Sequence, residues 1–248
     1  MKILTIGTGQ STQRIVKANL NLKEDIITFA LHRAVPYLLL NSNLKVDYWT
    51  WFDPDAAMEG LRYYDSCNNK NFPTVIIPDW LVEVGDMKNN IGGTPFFHNK
   101  KNIELYKKVL NKLDKDNKLI ILDKVISTKR FTDKNRVFLN PNLRFKDNIY
   151  FGTDIGLNEN KFTMVILPIC HFYFNATEVY TLGFDNKGKS IGSTTSFPSS
   201  KTAPHLSKLK TWRDWEDLHG MKLFSCAEDK FTPNNTILPY VPIETLCQ

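Results

Sequence analysis

The chain has 248 residues, of which 42% are hydrophobic and 23% are charged, and its net charge is +6. This apolar content excludes a disordered or fibrous protein, and the length suits one large α/β domain with a buried core. No apolar run approaches the ~20 residues of a membrane span, and no signal-peptide pattern is visible. We therefore expect a cytoplasmic protein with a single domain over residues 1–248.

Apolar, β-branched runs recur along the chain and alternate with stretches of helical periodicity. In chain order they are KILTIG, DIITFAL, VDYWTWF, TVIIPD, KLIILD, VYTLGFD and KLFSC. This alternation predicts an α/β fold, a Rossmann-like, mostly parallel sheet with helices on both faces. Residues 127–151 and 186–203 lack periodicity and are rich in polar residues, so we expect two long loops there.

Two helices are predicted most clearly. One covers residues 100–116 and has an apolar stripe made of Ile103, Tyr106, Val109, Leu110 and Leu113. The other covers residues 204–219, begins at Pro204 and ends before Gly220, a residue typical of a C-terminal cap.

Positive charge is concentrated between Lys100 and Lys146, where fourteen Lys or Arg residues stand against five Asp or Glu. Such a segment can bind an anionic partner, namely a phosphorylated sugar, a lipid surface or nucleic acid. A solvated lysine-rich helix face is the favoured interpretation of such a segment. Within it, Arg136 and Arg144 are candidates for phosphate or acceptor contacts, because a guanidinium binds an anion with two parallel hydrogen bonds.

The cysteine and histidine spacings indicate neither a zinc site nor a disulfide framework. Cys67, Cys170, Cys226 and Cys247 are far apart, which predicts reduced and mostly buried thiols. The triplet Asp53-Pro54-Asp55 resembles a metal-binding D-x-D motif, but it precedes a predicted helix, where a capping role suffices. We expect no metal and no cofactor.

The first strand runs into Gly7-Thr8-Gly9-Gln10-Ser11 and then a helix, an arrangement that brings backbone N–H groups towards a ligand above the strand. The third glycine of the dinucleotide fingerprint is missing, because residue 12 is Thr. The second strand ends near His32 and not at the acidic residue that binds a ribose in NAD enzymes. The turn therefore predicts a nucleotide site, held by backbone N–H groups and the Thr8 side chain, but not an NAD site.

The segment DYWTWFDPDA admits two interpretations. Its aromatic residues could form a stacking wall for a sugar or base beside Asp53 and Asp55. A buried aromatic strand followed by a capped helix is the favoured alternative. Asp53 remains a candidate ligand residue, because it follows a strand at the edge where open α/β sheets bind ligands.

Several segments, taken in order and approximate spacing, resemble the compact Rossmann-like bacterial sialyltransferases that use CMP-sialic acid. The segments are TIGTGQST, ALHRAVPYL, YWTWFDP, FTMVILPICHFYFNATEVYTLGFDN, APHLSKLKTWRDW and MKLFSCAED. They are also similar to domains of motility-associated sugar transferases and 6-hydroxymethylpterin pyrophosphokinases. The resemblance covers most of residues 1–60 and 155–230, and residues 61–154 match neither group.

The resemblance implies metal-independent transfer of a sugar from a nucleotide donor, CMP-linked in this group, to a hydroxyl, first of all on a glycan. It also implies the nucleotide contacts, which are Gly7, Thr8, Gly9, Ser11, His32, Asp53, Thr163, Asp185 and Asn186. His205 stands where these enzymes have their general base. Their phosphate-binding tyrosines have no counterpart in residues 186–204, so Lys187 and Lys189 are the expected phosphate contacts.

Two other functions remain open from the sequence. One is a nucleic-acid-modifying enzyme that binds phosphate through residues 100–146, with affinity that falls steeply with salt. The other is a non-catalytic relative that binds a nucleotide without turnover.

Overall fold

The structure is a computed structural model, and it describes residues 1–51, 54–66, 71–78, 82, 99–122, 166–167, 169–185, 220–228 and 238–248. The expected loops at 127–151 and 186–203 and the expected helix at 204–219 lie outside these ranges.

Seven strands form one sheet in the order β5-β4-β3-β2-β1-β6-β7. Their bounds are β1 Lys2–Ile6, β2 Ile26–Leu31, β3 Tyr48–Thr50, β4 Thr74–Pro78, β5 Leu119–Leu122, β6 Glu178–Leu182 and β7 Lys222–Ser225. Every pairing is parallel. Each of the apolar runs identified in the sequence forms a strand, which confirms the α/β, Rossmann-like prediction.

In the described part of the chain, helices connect successive strands of the sheet. Their bounds are α1 Gln13–Ala18, α2 Ala34–Asn41, α3 Pro54–Ser66 and α4 Lys100–Lys115. Short 3₁₀ turns cover Gln10–Thr12 and Ile243–Leu246, and a π-helical turn covers Ile169–Tyr173. The helix α3 packs against both α2 and α4.

The path of the chain through the sheet creates a switch point between β1 and β6. From β1 the chain moves outward through β2, β3 and β4 to β5, and then returns to form β6 on the other side of β1. At the carboxyl end of β1, Ile6 is in register with Ala30 on one side and Leu182 on the other. Since β2, the strand after β1, and β7, the strand after β6, lie on opposite sides of this pair, a crevice is expected above the carboxyl ends of β1 and β6.

The helix α4 confirms the predicted apolar stripe. Its buried residues are Tyr106, Val109, Leu110 and Leu113, and Ile103 is half-buried. At its N-terminus the Asn99 side chain accepts hydrogen bonds from the backbone N–H groups of Lys101 and Asn102, at 3.1 and 3.4 Å. This side-chain cap explains why the helix begins at Lys100.

The tryptophan of β3 and the one directly after this strand are part of the core. Trp49 and Trp51 have no exposed surface. The indole N–H of Trp49 donates to the carbonyl of His32 at 2.9 Å, and that of Trp51 donates to the hydroxyl of Tyr106 at 3.0 Å. The favoured interpretation, a buried aromatic strand, is confirmed, and these two rings offer no stacking surface to a ligand.

The described thiols are free, as expected from their spacing. Cys170 and Cys226 are buried, and burial raises the pKa of both thiols well above the usual range, which keeps them protonated and unreactive. Cys67 lies outside the described residues. Within the described ranges, no helix has the length and hydropathy that crossing a bilayer requires.

The Trp51–Tyr106 hydrogen bond generates a stability prediction. Tyr106→Phe removes the acceptor of a fully buried indole N–H. Because an unsatisfied buried donor costs about 1–3 kcal/mol, we expect the free energy of unfolding to fall by that amount. Urea denaturation measures the change, with an unaltered m value.

Tyr173→Phe is the matched control for that variant, because it removes the same atom from a ring that is 41% exposed. We expect it to change the free energy of unfolding by less than about 0.5 kcal/mol. Equal losses in the two variants would contradict a specific role for the Trp51–Tyr106 bond.

Candidate functional site

The loops that follow β1 and β6 lie side by side at the switch point. The backbone N–H of Gly7 donates to the carbonyl of Leu182 at 2.8 Å, and that of Gly9 donates to the carbonyl of Gly183 at 2.7 Å. The pairing of the two strands thus continues past their ends. These contacts hold the first loop, Gly7–Ser11, against the second, Gly183–Asp185.

Glycine is required where the two loops meet. A Cβ atom on Gly7 would collide with the carbonyl oxygen of Gly183. Gly183 has a φ of +77°, and a Cβ there would collide with the hydroxyl of Thr12. The backbones of the two loops therefore approach more closely than side chains would allow.

A carboxylate fills the turn after β1. The Oδ2 atom of Asp185 accepts a hydrogen bond from the backbone N–H of Ser11 at 2.7 Å, and its Oδ1 atom accepts one from the Ser11 hydroxyl. The backbone of Gln10 lies near the same carboxylate and lowers its pKa. The Ser11 oxygen in turn accepts a hydrogen bond from the backbone N–H of Gly183 at 2.8 Å. These bonds form a closed network between the two loops.

Gly9 provides the space for that carboxylate. A Cβ atom on Gly9 would lie 2.5 Å from Cγ and 2.6 Å from Oδ2 of Asp185. In the dinucleotide fingerprint, the second glycine lets the backbone approach a pyrophosphate. Here the second glycine lets the backbone approach Asp185. The anion that this glycine turn holds is supplied by the chain itself.

Thr8 remains available to a ligand. The amides of Gly7 and Gly9, expected from the sequence to face a nucleotide, donate to the carbonyls of Leu182 and Gly183 instead. The amide of Thr12 donates to the carbonyl of Gly9 at 3.2 Å, and the amide of Ser11 donates to Asp185. Thr8 is half-buried and makes no hydrogen bond with the described residues.

Two opposing effects act on the ionisation of Asp185. Burial is the larger and raises the pKa of its carboxyl group, while the hydrogen bonds from Ser11 and the nearby backbone of Gln10 lower it. The two Ser11 groups that donate to this carboxyl suit its ionised form, since a carboxylate only accepts hydrogen bonds. The network therefore stabilises a negative charge in a poorly solvated place.

His32 lies at the carboxyl end of β2, next to β1 and at the same edge of the sheet. Its φ is +47°, a left-handed conformation that is uncommon for a residue other than glycine. Its backbone N–H donates to the carbonyl of Thr50 at 2.9 Å, and its carbonyl accepts from Trp49. Hydrogen bonds on both sides thus hold this strained backbone in position.

The other predicted site residues lie outside the described ranges. They are His205, Asp53, Thr163, Asn186, Arg136, Arg144, Lys187 and Lys189, and their roles stay predictions. Gly220 is described and has a left-handed φ of +65°, whereas the predicted helix over 204–219 lies outside the described residues and stays a prediction.

The described part of the basic segment, on α4, makes mostly solvated contacts. Lys108 forms an ion pair with Asp65 at 2.8 Å, and the Lys112 ammonium lies 4.8 Å from the centre of the Tyr64 ring. A nucleic-acid partner for residues 100–146 stays a prediction. In the described ranges, no cluster of His, Cys, Asp and Glu side chains is arranged to hold a metal ion.

Sequence reasoning assigned Ser11 and Asp185 to the nucleotide and missed both Gly183 and the Ser11–Asp185 contact. The available signal was the sequence Gly183-Phe184-Asp185 directly after a strand, which mirrors Gly7-Thr8-Gly9 after β1. Two glycine-containing ends on adjacent parallel strands indicate close approach of two loops. Only the pairing of β1 with β6 determines that these two loops lie next to each other.

No protein-family model matches the chain, and no curated protein matches it in sequence. In structure, the chain is similar to Campylobacter sialyltransferases. The sialyltransferase CST-II in complex with a trisaccharide acceptor and CMP is 13% identical, with a TM-score of 0.45, over 98% of this chain and 86% of that one. The monofunctional α-2,3-sialyltransferase Cst-I from Campylobacter jejuni is 10% identical, with a TM-score of 0.40, over 97% of this chain and 82% of that one. CstII from Campylobacter jejuni with cytidine-5′-monophosphate is 13% identical, with a TM-score of 0.39, over 100% of this chain and 86% of that one.

The raised pKa of Asp185 predicts a pH-dependent contribution to stability. Because the folded-state pKa lies above the ordinary value of 3.8, the folded chain binds the proton more tightly than the unfolded chain. The contribution is therefore fully present below that ordinary value and is lost as the pH rises through the raised pKa. As the pH rises from this ordinary value through the raised pKa, we expect the stability of the wild type to fall relative to that of Asp185→Asn.

Urea denaturation of both proteins at a series of pH values measures this difference, since the amide variant does not titrate at that position. Asp114→Asn, on the exposed face of α4, is the control for the general effect of replacing a carboxyl group by an amide. A stability difference that grows with pH would show that the network lowers the pKa of Asp185 below its ordinary value.

Proposed function

We propose that this protein is a metal-independent glycosyltransferase that moves a sugar from a CMP-linked donor to an acceptor hydroxyl on a glycan. The observation that carries the proposal is the switch point between β1 and β6, with the Gly7–Ser11 turn at its edge. Open α/β sheets bind nucleotides in the crevice above such a point.

The donor side of the proposed site is formed at one edge of the sheet. Thr8 offers an amide and a hydroxyl that are not used elsewhere in the described structure, and His32 stands at the end of the neighbouring strand. On the sequence resemblance, Asp53, Thr163 and Asn186 contribute further nucleotide contacts. No cofactor is required, because the nucleotide sugar is a substrate.

Sugar transfer to a hydroxyl requires a base for the acceptor and a group that stabilises the departing nucleotide. His205 is the proposed base, since an imidazole with an unperturbed pKa of about 6.5 can accept the acceptor's proton near neutral pH. The acceptor oxygen bonds to the sugar as the bond between sugar and nucleotide phosphate breaks. Lys187 and Lys189, with Arg136 and Arg144, are the proposed partners of the phosphate and the acceptor.

A nucleotide screen and a base variant test this function. Among CMP, UDP, GDP, ATP and NAD, we expect CMP to raise the melting temperature and NAD to leave it unchanged, because a ligand bound only by the folded state stabilises it. With a CMP-linked sugar, His205→Ala should lower the transfer rate by ~10²–10⁴ and leave CMP affinity intact, since the base acts on the acceptor.

His219→Ala, at the far end of the same predicted helix, is the matched control and should retain transfer. Unchanged transfer by His205→Ala would remove His205 from the mechanism. The absence of any stabilising nucleotide would contradict the proposed function as a whole.

Metal independence has a test of its own. The phosphate charge is balanced here by protein cations and hydrogen-bond donors, so we expect the transfer rate to be equal with and without EDTA. The rate is measured with the best donor in EDTA and again after Mn²⁺ is added. Activity that disappears in EDTA and returns with Mn²⁺ would indicate a metal site at Asp53 and Asp55.

A further inference from the structure

The turn after β1 has the features of an anion cradle, and the cradle is occupied. The backbone N–H and the hydroxyl of Ser11 both point to one place, as donors do in the concave sites where proteins bind phosphate. The missing side chain of Gly9 leaves room for an anion there. The carboxylate of Asp185 takes that position.

We infer that Asp185 determines how the donor nucleotide binds: it excludes the phosphate from the Gly7–Ser11 turn, so that the uncharged nucleoside part lies against Thr8. This inference rests on the proposed function for the identity of the ligand. The position of the Asp185 carboxylate in the turn is observed independently of that proposed function.

Charge repulsion is the first reason. A phosphate against this turn would lie within about 4–6 Å of the Asp185 carboxylate. At the effective dielectric constant of a protein surface, two like charges at that separation cost about tenfold or more in affinity. The donors of the turn that could offset this cost are those of Thr8 and Gln10, because the amides of Gly7, Gly9 and Ser11 are already bonded within the protein.

The chemistry of Thr8 is the second reason. A threonine hydroxyl both donates and accepts hydrogen bonds, and so does a ribose hydroxyl, whereas a phosphate only accepts at neutral pH. The group that the turn offers to a ligand is therefore neutral and suited to a neutral partner. The phosphate then points away from β1.

The first experiment empties the cradle. Asp185→Ala removes the carboxylate and leaves the N–H and hydroxyl donors of Ser11 without their acceptor. We expect the variant to melt at a lower temperature than the wild type and to regain about 2–4 °C in inorganic phosphate, compared with chloride at equal ionic strength.

The readout is the difference between variant and wild type, because phosphate also stabilises proteins in general. Asp114→Ala, an exposed carboxylate on α4, is the matched control and should respond to phosphate as the wild type does. An equal phosphate response in all three proteins would show that the turn is not an anion cradle and would overturn the inference.

The second experiment tests the orientation of the ligand with a variant that keeps the side-chain volume. Asp185→Asn removes the charge but retains an oxygen that can accept from Ser11. The affinities of CMP and of cytidine are measured for both proteins by titration calorimetry. A variant with a damaged turn binds both CMP and cytidine more weakly. The ratio of the CMP affinity to the cytidine affinity therefore reports on the phosphate alone.

If the phosphate points away from Asp185, this ratio changes by less than about fivefold between wild type and Asp185→Asn. A larger increase of the CMP affinity relative to the cytidine affinity in Asp185→Asn would place the phosphate beside Asp185 and overturn the inference. If neither compound binds the wild type, the proposed function fails, and the phosphate response of Asp185→Ala still decides whether the cradle exists.

Discussion

The hydrogen-bonded contact between Ser11 and Asp185 is the constraint on which the candidate site depends. It joins two loops that are 174 residues apart in the chain and fastens the end of β1 to the end of β6. Ser11 both donates to the carboxylate and accepts from the backbone of Gly183, so one side chain satisfies groups on both loops. Because a buried donor or acceptor without a partner costs about 1–3 kcal/mol, the two loops are stable together and not separately.

This contact changes the role that the Gly7–Ser11 turn is expected to have. A glycine after the first strand of an α/β sheet signals that some group approaches the backbone closely, and in nucleotide-binding proteins that group is often a phosphate. In this chain the approaching group is a side chain of its own, and Gly9 accommodates it. The turn is therefore held by hydrogen bonds to the end of β6, and Thr8 is half-buried with no hydrogen bond to the described residues.

Much of the fold follows from local patterns. The strands are short apolar runs rich in β-branched residues, and each is bounded by turn residues or by a helix with a period near 3.6 residues. The stripe on α4 and the burial of Trp49 and Trp51 follow from the same patterns. For the site, the carboxyl ends of parallel strands meet at one edge, so Gly7, His32 and Asp185 could be assigned to a shared edge. Which atoms face the ligand could not be assigned, since that depends on hydrogen bonds between distant segments.

The amino-acid sequence by itself determined the secondary-structure elements and their parallel arrangement, because hydrophobic periodicity acts over a few residues and alternating strands and helices favour parallel pairing. Only the tertiary structure decided that β6 lies beside β1 and that Asp185 occupies the turn of Gly9 and Ser11. The physical reason is the separation along the chain. A contact between residues so far apart leaves no local pattern, and it forms only when the sheet brings the two strand ends together.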